Sequence, residues 1–200
     1  MAHYVIGVTG ASGIILAYKL LDSLTQLGHS ISLVMTKDAS ATAILELGAH
    51  LATAEKMMSS LSEPQQQLIK CYAHSNFYAP IASGSCRFDG MVIVPCSMAT
   101  LAAVAMGLAD NLVRRAADVT LKERRKLVIV PRESPFSSIH LENLLKLSQV
   151  GAVIVPPIPA WYSLPKSLEE VEQFIVGRIL DVLAVEGYHY PRWGEEESKL

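Results

Sequence analysis

The first 37 residues constrain the fold more than any other stretch. An apolar run, Tyr4-Val-Ile-Gly-Val8, enters the turn Thr9-Gly-Ala-Ser-Gly13. A helical pattern from Ile14 to Leu27 follows, and a second apolar run, Ile31 to Met35, ends in Thr36-Lys37. Strand, glycine turn, helix, strand is the order that presents a helix N-terminus to a phosphate. Free backbone N–H groups and the helix dipole favour an anion there. Gly10 and Gly13 allow positive φ and close backbone approach. Ser12 adds a hydroxyl where a flavin or nucleotide would lie. The glycines read G-x-x-G-x-x-G (Gly7, Gly10, Gly13), not the G-x-G-x-x-G of dinucleotide binders. The second strand also ends without the acid that usually holds a ribose; Asp38 follows the lysine and starts the next helix. The pattern favours a mononucleotide. The competing reading is a helix start that needed small residues.

The rest of the chain repeats the alternation. Ala39 to Leu47 reads as an alanine-rich helix, 51–70 as irregular and helical surface structure, and Cys71 to Ala82 as mixed and aromatic. Met91-Val-Ile-Val94 is a continuous apolar run, as expected of a strand buried on both faces. Ser97 caps a helix from Met98 to about Met106, and Asp110 caps the next, Leu112 to Arg124. Leu127 to Val130 and Ala152 to Val155 are further strands, with a helix near Ser138 to Ser148 between them. Ser167 caps a last helix to about Val185, where Glu170 completes a capping box. Alternating strands and helices predict a Rossmann-like (flavodoxin-like) three-layer α/β fold with a central parallel sheet. One domain over 1–186 is expected, with 187–200 as a tail. Ligands bind such sheets at the carboxyl ends of the strands. Thr9 to Gly13, Thr36-Lys37, Pro95 to Ser97, Arg132-Glu133 and Trp161-Tyr162 collect there.

Composition narrows the function. At 200 residues the chain can bury roughly 70% of its unfolded surface without a disulfide or metal staple. Half the residues are apolar and 18% are charged, below the usual share of about 25%. That apolar excess predicts a homo-oligomer, because obligate interfaces resemble a domain core cut in half. A net charge of −2 gives no electrostatic case for nucleic acid. The two long uncharged stretches, Gly90 to Ala109 and Gln149 to Pro165, are broken by prolines and polar residues, so they are read as buried strands with turns rather than membrane spans. The N-terminus lacks a signal pattern, and the expectation is a cytoplasmic protein. Cys71, Cys86 and Cys96 have no metal spacing and fit reduced thiols. The histidines form no H-x-x-x-H pair, so no metal is expected.

Several side chains suggest chemistry. Arg132-Glu133 sits between two prolines past a buried strand, where a carboxylate can move protons while the arginine holds an anion. Its bland alternative is a loop salt bridge. Arg115 and Lys122 are seven apart on one predicted helix and share a face that suits a phosphate or a solvated surface. Tyr162 can offer a hydroxyl to a phosphate. Arg178 lies in the apolar stretch Phe174 to Leu183, where an arginine needs a partner. Phe77 reads by pattern as core.

Together these motifs resemble the UbiX/Pad1 flavin prenyltransferases. Gly10-Ala-Ser-Gly13, Met35-Thr-Lys37, Ala82-Ser-Gly-Ser85, Pro95-Cys-Ser97, Arg115-Ala-Ala-Asp-Val119, Leu121-Lys-Glu-Arg-Arg125, Arg132-Glu133 and Pro156-Pro-x-Pro-Ala-x-Tyr162 follow that family's order over nearly the whole chain. The resemblance implies prenylation of reduced FMN at N5 and C6 with dimethylallyl monophosphate and no metal. It implies delivery of the prenylated FMN to a UbiD-type decarboxylase, and assembly as a dodecamer with sites at subunit interfaces. Carried over by motif, Gly10, Ala11, Ser12, Thr36, Ser97 and Met98 would bind FMN, Ser12 also assisting proton movement near N5. Arg115 would reach the flavin from a neighbouring subunit. Lys122, Arg132, Tyr162 and Arg178 would hold the substrate phosphate. Glu133 would be the acid/base, Phe77 the aromatic wall around the allyl cation, and Trp193 a cover over the site. Leu16, Thr36, Phe77 and Cys86 depart from the residues common in the family; Phe in place of Trp at 77 bears on cation stabilisation. The rivals are an FMN-dependent cysteine decarboxylase of the same fold, for which His50 and His74 stand in no convincing motif, and a non-catalytic flavin-binding subunit of a decarboxylase.

Overall fold

The computed structural model describes residues 1–194. Residues 195–200 of the expected tail lie outside the described residues. Six strands form one sheet: β1 (His3–Val8), β2 (Ser30–Met35), β3 (Ile69–Ala73), β4 (Gly90–Cys96), β5 (Lys126–Pro131) and β6 (Val153–Ile154). Their order is β3-β2-β1-β4-β5-β6 and every pairing is parallel. This is the doubly wound α/β arrangement, with its switch point between β1 and β4.

The connections are mostly helical: α1 (Ile14–Gln26), α2 (Lys37–Leu47), α3 (Ala54–Ser59), α4 (Glu63–Gln66), α5 (Met98–Ala105), α6 (Leu112–Lys122), α7 (Ser138–Gln149) and α8 (Leu168–Leu183). Side chains alternate across each strand, so one sheet yields two cores. Ile6, Val8, Leu33, Val92, Val94 and Val128 pack with α1 and α8. Val5, Val34, Met91, Ile93 and Leu127 pack with α5 and α6 on the opposite face. Gly7 is needed on that second face, since a Cβ there would lie 2.8 Å from the Val113 side chain on α6.

Three local readings change. β3 is a strand, although its sequence was read as part of a polar helical segment and a mixed one. Its alternation is weak because it is an edge strand, half exposed. Asn111, not Asp110, caps α6, accepting from Arg114 N at 3.1 Å, while Asp110 pairs with the Arg114 guanidinium. Ser167 caps α8 as expected, but Glu170 reaches the N–H of Lys166 rather than that of Ser167, so the capping box is displaced by one residue. Large apolar side chains remain exposed along α7 and its neighbours, among them Ile139, Leu141, Leu145, Met106 and Leu108. Among the described residues no helix is long and apolar enough to cross a membrane.

Candidate active site

Four strand ends are stitched together where β1 and β4 part. Thr9, buried just past β1, donates its hydroxyl to Pro95 O at 2.8 Å and accepts from Ser97 N at 2.8 Å. The β4/β5 register slips between Ile93 and Cys96, around Pro95, which has no N–H to donate to a ladder. Thr36 N donates to Val8 O at 3.0 Å, and Arg132 N to Cys96 O at 3.1 Å. The chain leaves β1 for α1 on one face and β4 for α5 on the other, which opens a crevice at the switch point. Its rim carries Gly10 to Gly13, Thr36, Ser97, Met98, Arg132 and Glu133, so these sequence-derived candidates do come together on one sheet edge.

Each rim residue has a local cause. Gly13 is the N-cap of α1 with φ 101°, a conformation that favours glycine. Gly10 serves the close approach expected of it and not the positive φ: a Cβ there would lie 2.5 Å from Asp38 Cβ, so it admits the first turn of α2. Thr36 and Ser97 cap α2 and α5, accepting from Ala39 N at 3.2 Å and Thr100 N at 3.3 Å. The Arg132 and Glu133 side chains are exposed, and Glu133 accepts from Ser134 N at 3.0 Å.

One charged group at the crevice was missed in sequence. Glu46, near the end of α2, places its carboxylate on the N-terminus of α1. It accepts from Gly13 N at 3.1 and 3.0 Å and from Ile14 N at 3.0 Å. An anion does occupy this helix start, and it is the chain's own. The available signal was an acid in the last turn of the alanine-rich helix that packs beside the glycine turn. Cys96 stands at the crevice floor, but burial pushes its thiol up to about 12, which removes it as a nucleophile at neutral pH.

The other candidates sit in two further groups. On α6, Arg115 donates through Nε to Ala82 O at 2.9 Å and pairs with Asp118 at 2.6 Å. Lys122 pairs with Glu123 and lies against Gly84. The two cations therefore do share a face, covered by the Ala82–Ser85 turn. Phe77 is half exposed rather than core, in the loop whose His74 O accepts from Leu112 N at 2.7 Å. On α8, Arg178 lies one turn beyond Phe174, whose ring stands 6.0 Å from Tyr162, and Tyr162 stands 4.9 Å from Trp193. Among the described residues no hydrogen bond or ion pair joins the crevice, α6 and α8 groups to one another.

The neutral, hydroxyl-bearing crevice suits a flat mononucleotide, and α1 already shows that its N-terminus accepts an anion. The chain belongs to a flavoprotein class: the family profile described as Flavoprotein matches residues 1–180. Within it, the chain belongs to the flavin prenyltransferase UbiX family. It is 46% identical to the flavin prenyltransferase UbiX of Chlamydia trachomatis, covering 96% of this chain and 98% of that one. It is 43% identical to the UbiX of Methanocaldococcus jannaschii, covering 95% and 97%. Among solved structures it is similar to AnUbiX (PadA1) in complex with FMN and dimethylallyl pyrophosphate, with TM-score 0.88, 41% identity and coverage of 96% and 97%. A dodecameric FMN-dependent UbiX-like decarboxylase from Escherichia coli O157:H7 gives TM-score 0.86 and 42% identity, covering 96% and 98%. The cysteine decarboxylase TvaF shares the fold alone, at 14% identity, TM-score 0.55 and coverage of 92% and 99%.

Proposed function

We propose that this protein is a flavin prenyltransferase, joining a dimethylallyl group from dimethylallyl monophosphate to N5 and C6 of reduced FMN. The observation that carries the reading is identity of 46% over nearly the full length of a UbiX prenyltransferase. The switch-point crevice and the cations Arg115, Lys122, Arg132 and Arg178 support it. Reduced FMN, when bound, supplies the two ring positions that accept the prenyl carbons. Gly10, Ala11, Ser12, Thr36, Ser97 and Met98 bind it, and Arg115 of a neighbouring subunit reaches it.

The protein's own task is to break an allylic C–O bond without a Lewis acid. Arg132, Arg178 and Lys122 neutralise the leaving phosphate, which takes the bonding electron pair, and Tyr162 donates its hydroxyl. Glu133 gives a proton to that phosphate and takes up the proton lost from C6, with Ser12 assisting near N5. Phe77 offers a π-face to the allyl cation, and a closed pocket keeps water from capturing it. The chain acts as one FMN-binding domain, 1–186, with Trp193 of the tail covering the site. It works in the cytoplasm as a homo-oligomer, a dodecamer by similarity, and delivers prenylated FMN to a UbiD-type decarboxylase.

Anaerobic incubation with reduced FMN and dimethylallyl monophosphate, followed by mass spectrometry of the released flavin, tests this. A flavin heavier by one dimethylallyl unit, lost in Glu133→Gln, is expected. Unmodified flavin from protein that holds FMN, with the diphosphate tried as well, would sink the reading and favour a decarboxylase or a carrier.

A further inference from the structure

We propose that Asp181 is a positioning residue for Arg178: it fixes the guanidinium from α8 and clasps segment 188–193 over the same helix. The inference rests on the prenyl-transfer reading for the role of Arg178 as a phosphate ligand. Asp181 lies three residues after Arg178 and accepts from its Nη1 at 3.0 Å. The same carboxylate accepts from Arg192 Nη1 at 2.9 Å and Nη2 at 2.6 Å, and from the Tyr190 hydroxyl. One acid thus orders two arginines, and the pair keeps a net positive charge. Among the described residues Arg178 hydrogen-bonds only through Nη1. Its Nε–Nη2 edge remains for an anion, and bidentate binding of a phosphate needs such a fork.

The clasp has a built seat. Gly177 precedes Arg178, and a Cβ there would lie 2.3 Å from Tyr190 Cδ1, so glycine lets the ring lie on α8. Arg192 stacks 4.4 Å above the same ring. The Tyr190 ring stands 5.3 Å from Phe174, which leads through Tyr162 to Trp193. Asp181 therefore ties together a phosphate cation, a phosphate-binding tyrosine and the covering tryptophan. A simple surface ion pair would hold none of these.

Two readouts on the assembled protein separate this role from general stabilisation. Trypsin cleaves after Arg192 only when its guanidinium leaves Asp181, and the product lacking 193–200 is weighed by mass spectrometry. In Asp181→Asn and in Gly177→Ala this cleavage should quicken about tenfold, since it tracks the open population. In the prenyl-transfer assay Asp181→Asn should raise KM for dimethylallyl monophosphate about tenfold while kcat changes less, because a misplaced phosphate ligand chiefly weakens binding. FMN binding should persist in both variants as the check on folding. Unchanged cleavage, or an unchanged KM, would overturn the assignment. If the wild-type protein makes no prenylated flavin, the prenyl-transfer reading fails, and the cleavage data still report on the clasp.

Discussion

At the scale of single residues, chemistry is set by surroundings more than by type. Cys96 is the clearest case. It stands at the carboxyl end of β4, where a nucleophile would be useful, yet burial lifts its pKa to about 12. Cys96→Ala should therefore keep prenyl transfer and lose roughly 1 kcal/mol of stability for the small cavity left behind, read by thermal unfolding. Glu133 is the opposite case, an exposed carboxylate past the end of β5. Glu133→Gln should retain FMN while turnover falls about 10²- to 10⁴-fold, the usual share of general acid–base catalysis. For Asp181, partial burial raises its pKa. The hydrogen bonds from Arg192 and Tyr190 and the charges of Arg192 and Arg178 outweigh this, so the net shift is downward. A depressed folded-state pKa means the clasp's contribution is complete above the ordinary carboxylate value and is lost as pH falls through the lower folded one. Near-ultraviolet circular dichroism from the Tyr162–Trp193 and Phe174–Tyr190 pairs should hold steady down to the ordinary carboxylate range and collapse only below it. The caps Ser97 and Ser167 were legible because a hydroxyl before an apolar helix has one common use; the cap role of Thr36 was not read. Glu46 and Asp181 were not, because each acts across the fold on a partner that the sequence does not place beside it.

At the scale of elements, the crevice depends on how β1 and β4 are joined at their ends. Thr9 is the joint: one hydroxyl serves Pro95 O and Ser97 N. Thr9→Val keeps the shape and leaves the part-buried Ser97 N–H without that acceptor, which costs about 1 kcal/mol or more. Because Ser97 starts α5 at the crevice rim, FMN affinity should fall together with the unfolding midpoint. A variant that loses stability but binds FMN as before would show the joint to be structural only. The strands of the sheet interior were readable because burial on both faces leaves an unbroken apolar run, as in Met91 to Val94. β3 lies at the sheet edge and alternates Ile69, Lys70 and Cys71 among polar neighbours, so its pattern merges with surface helix. The fold class survived that omission because five strands ending on one edge already define where the site lies.

At the scale of the whole molecule, among the described residues no hydrogen bond or ion pair joins the crevice candidates to those on α6 and α8. Arg115 is held on α6 by Ala82 and Asp118, while Glu133 stands past β5 on the crevice rim. Ile139, Leu141 and Leu145 on α7 are exposed large apolar side chains. Sequence motifs named both groups, yet nothing in a linear chain says which copy each serves; that is a property of the assembly. Complementation tests it. Arg115→Ala and Glu133→Gln should each be nearly inactive alone. If Arg115 acts on a neighbour's crevice, subunits mixed in equal amounts and reassembled form some sites that carry neither defect. Such a site needs an intact Glu133 from one subunit and an intact Arg115 from another, so about one quarter of sites recover in a symmetric oligomer. Prenylated flavin, weighed by mass spectrometry, should rise to that fraction only after reassembly. A mixture that stays inactive would place Arg115 on its own chain's flavin, and the crevice and α6 would then have to close within a single subunit.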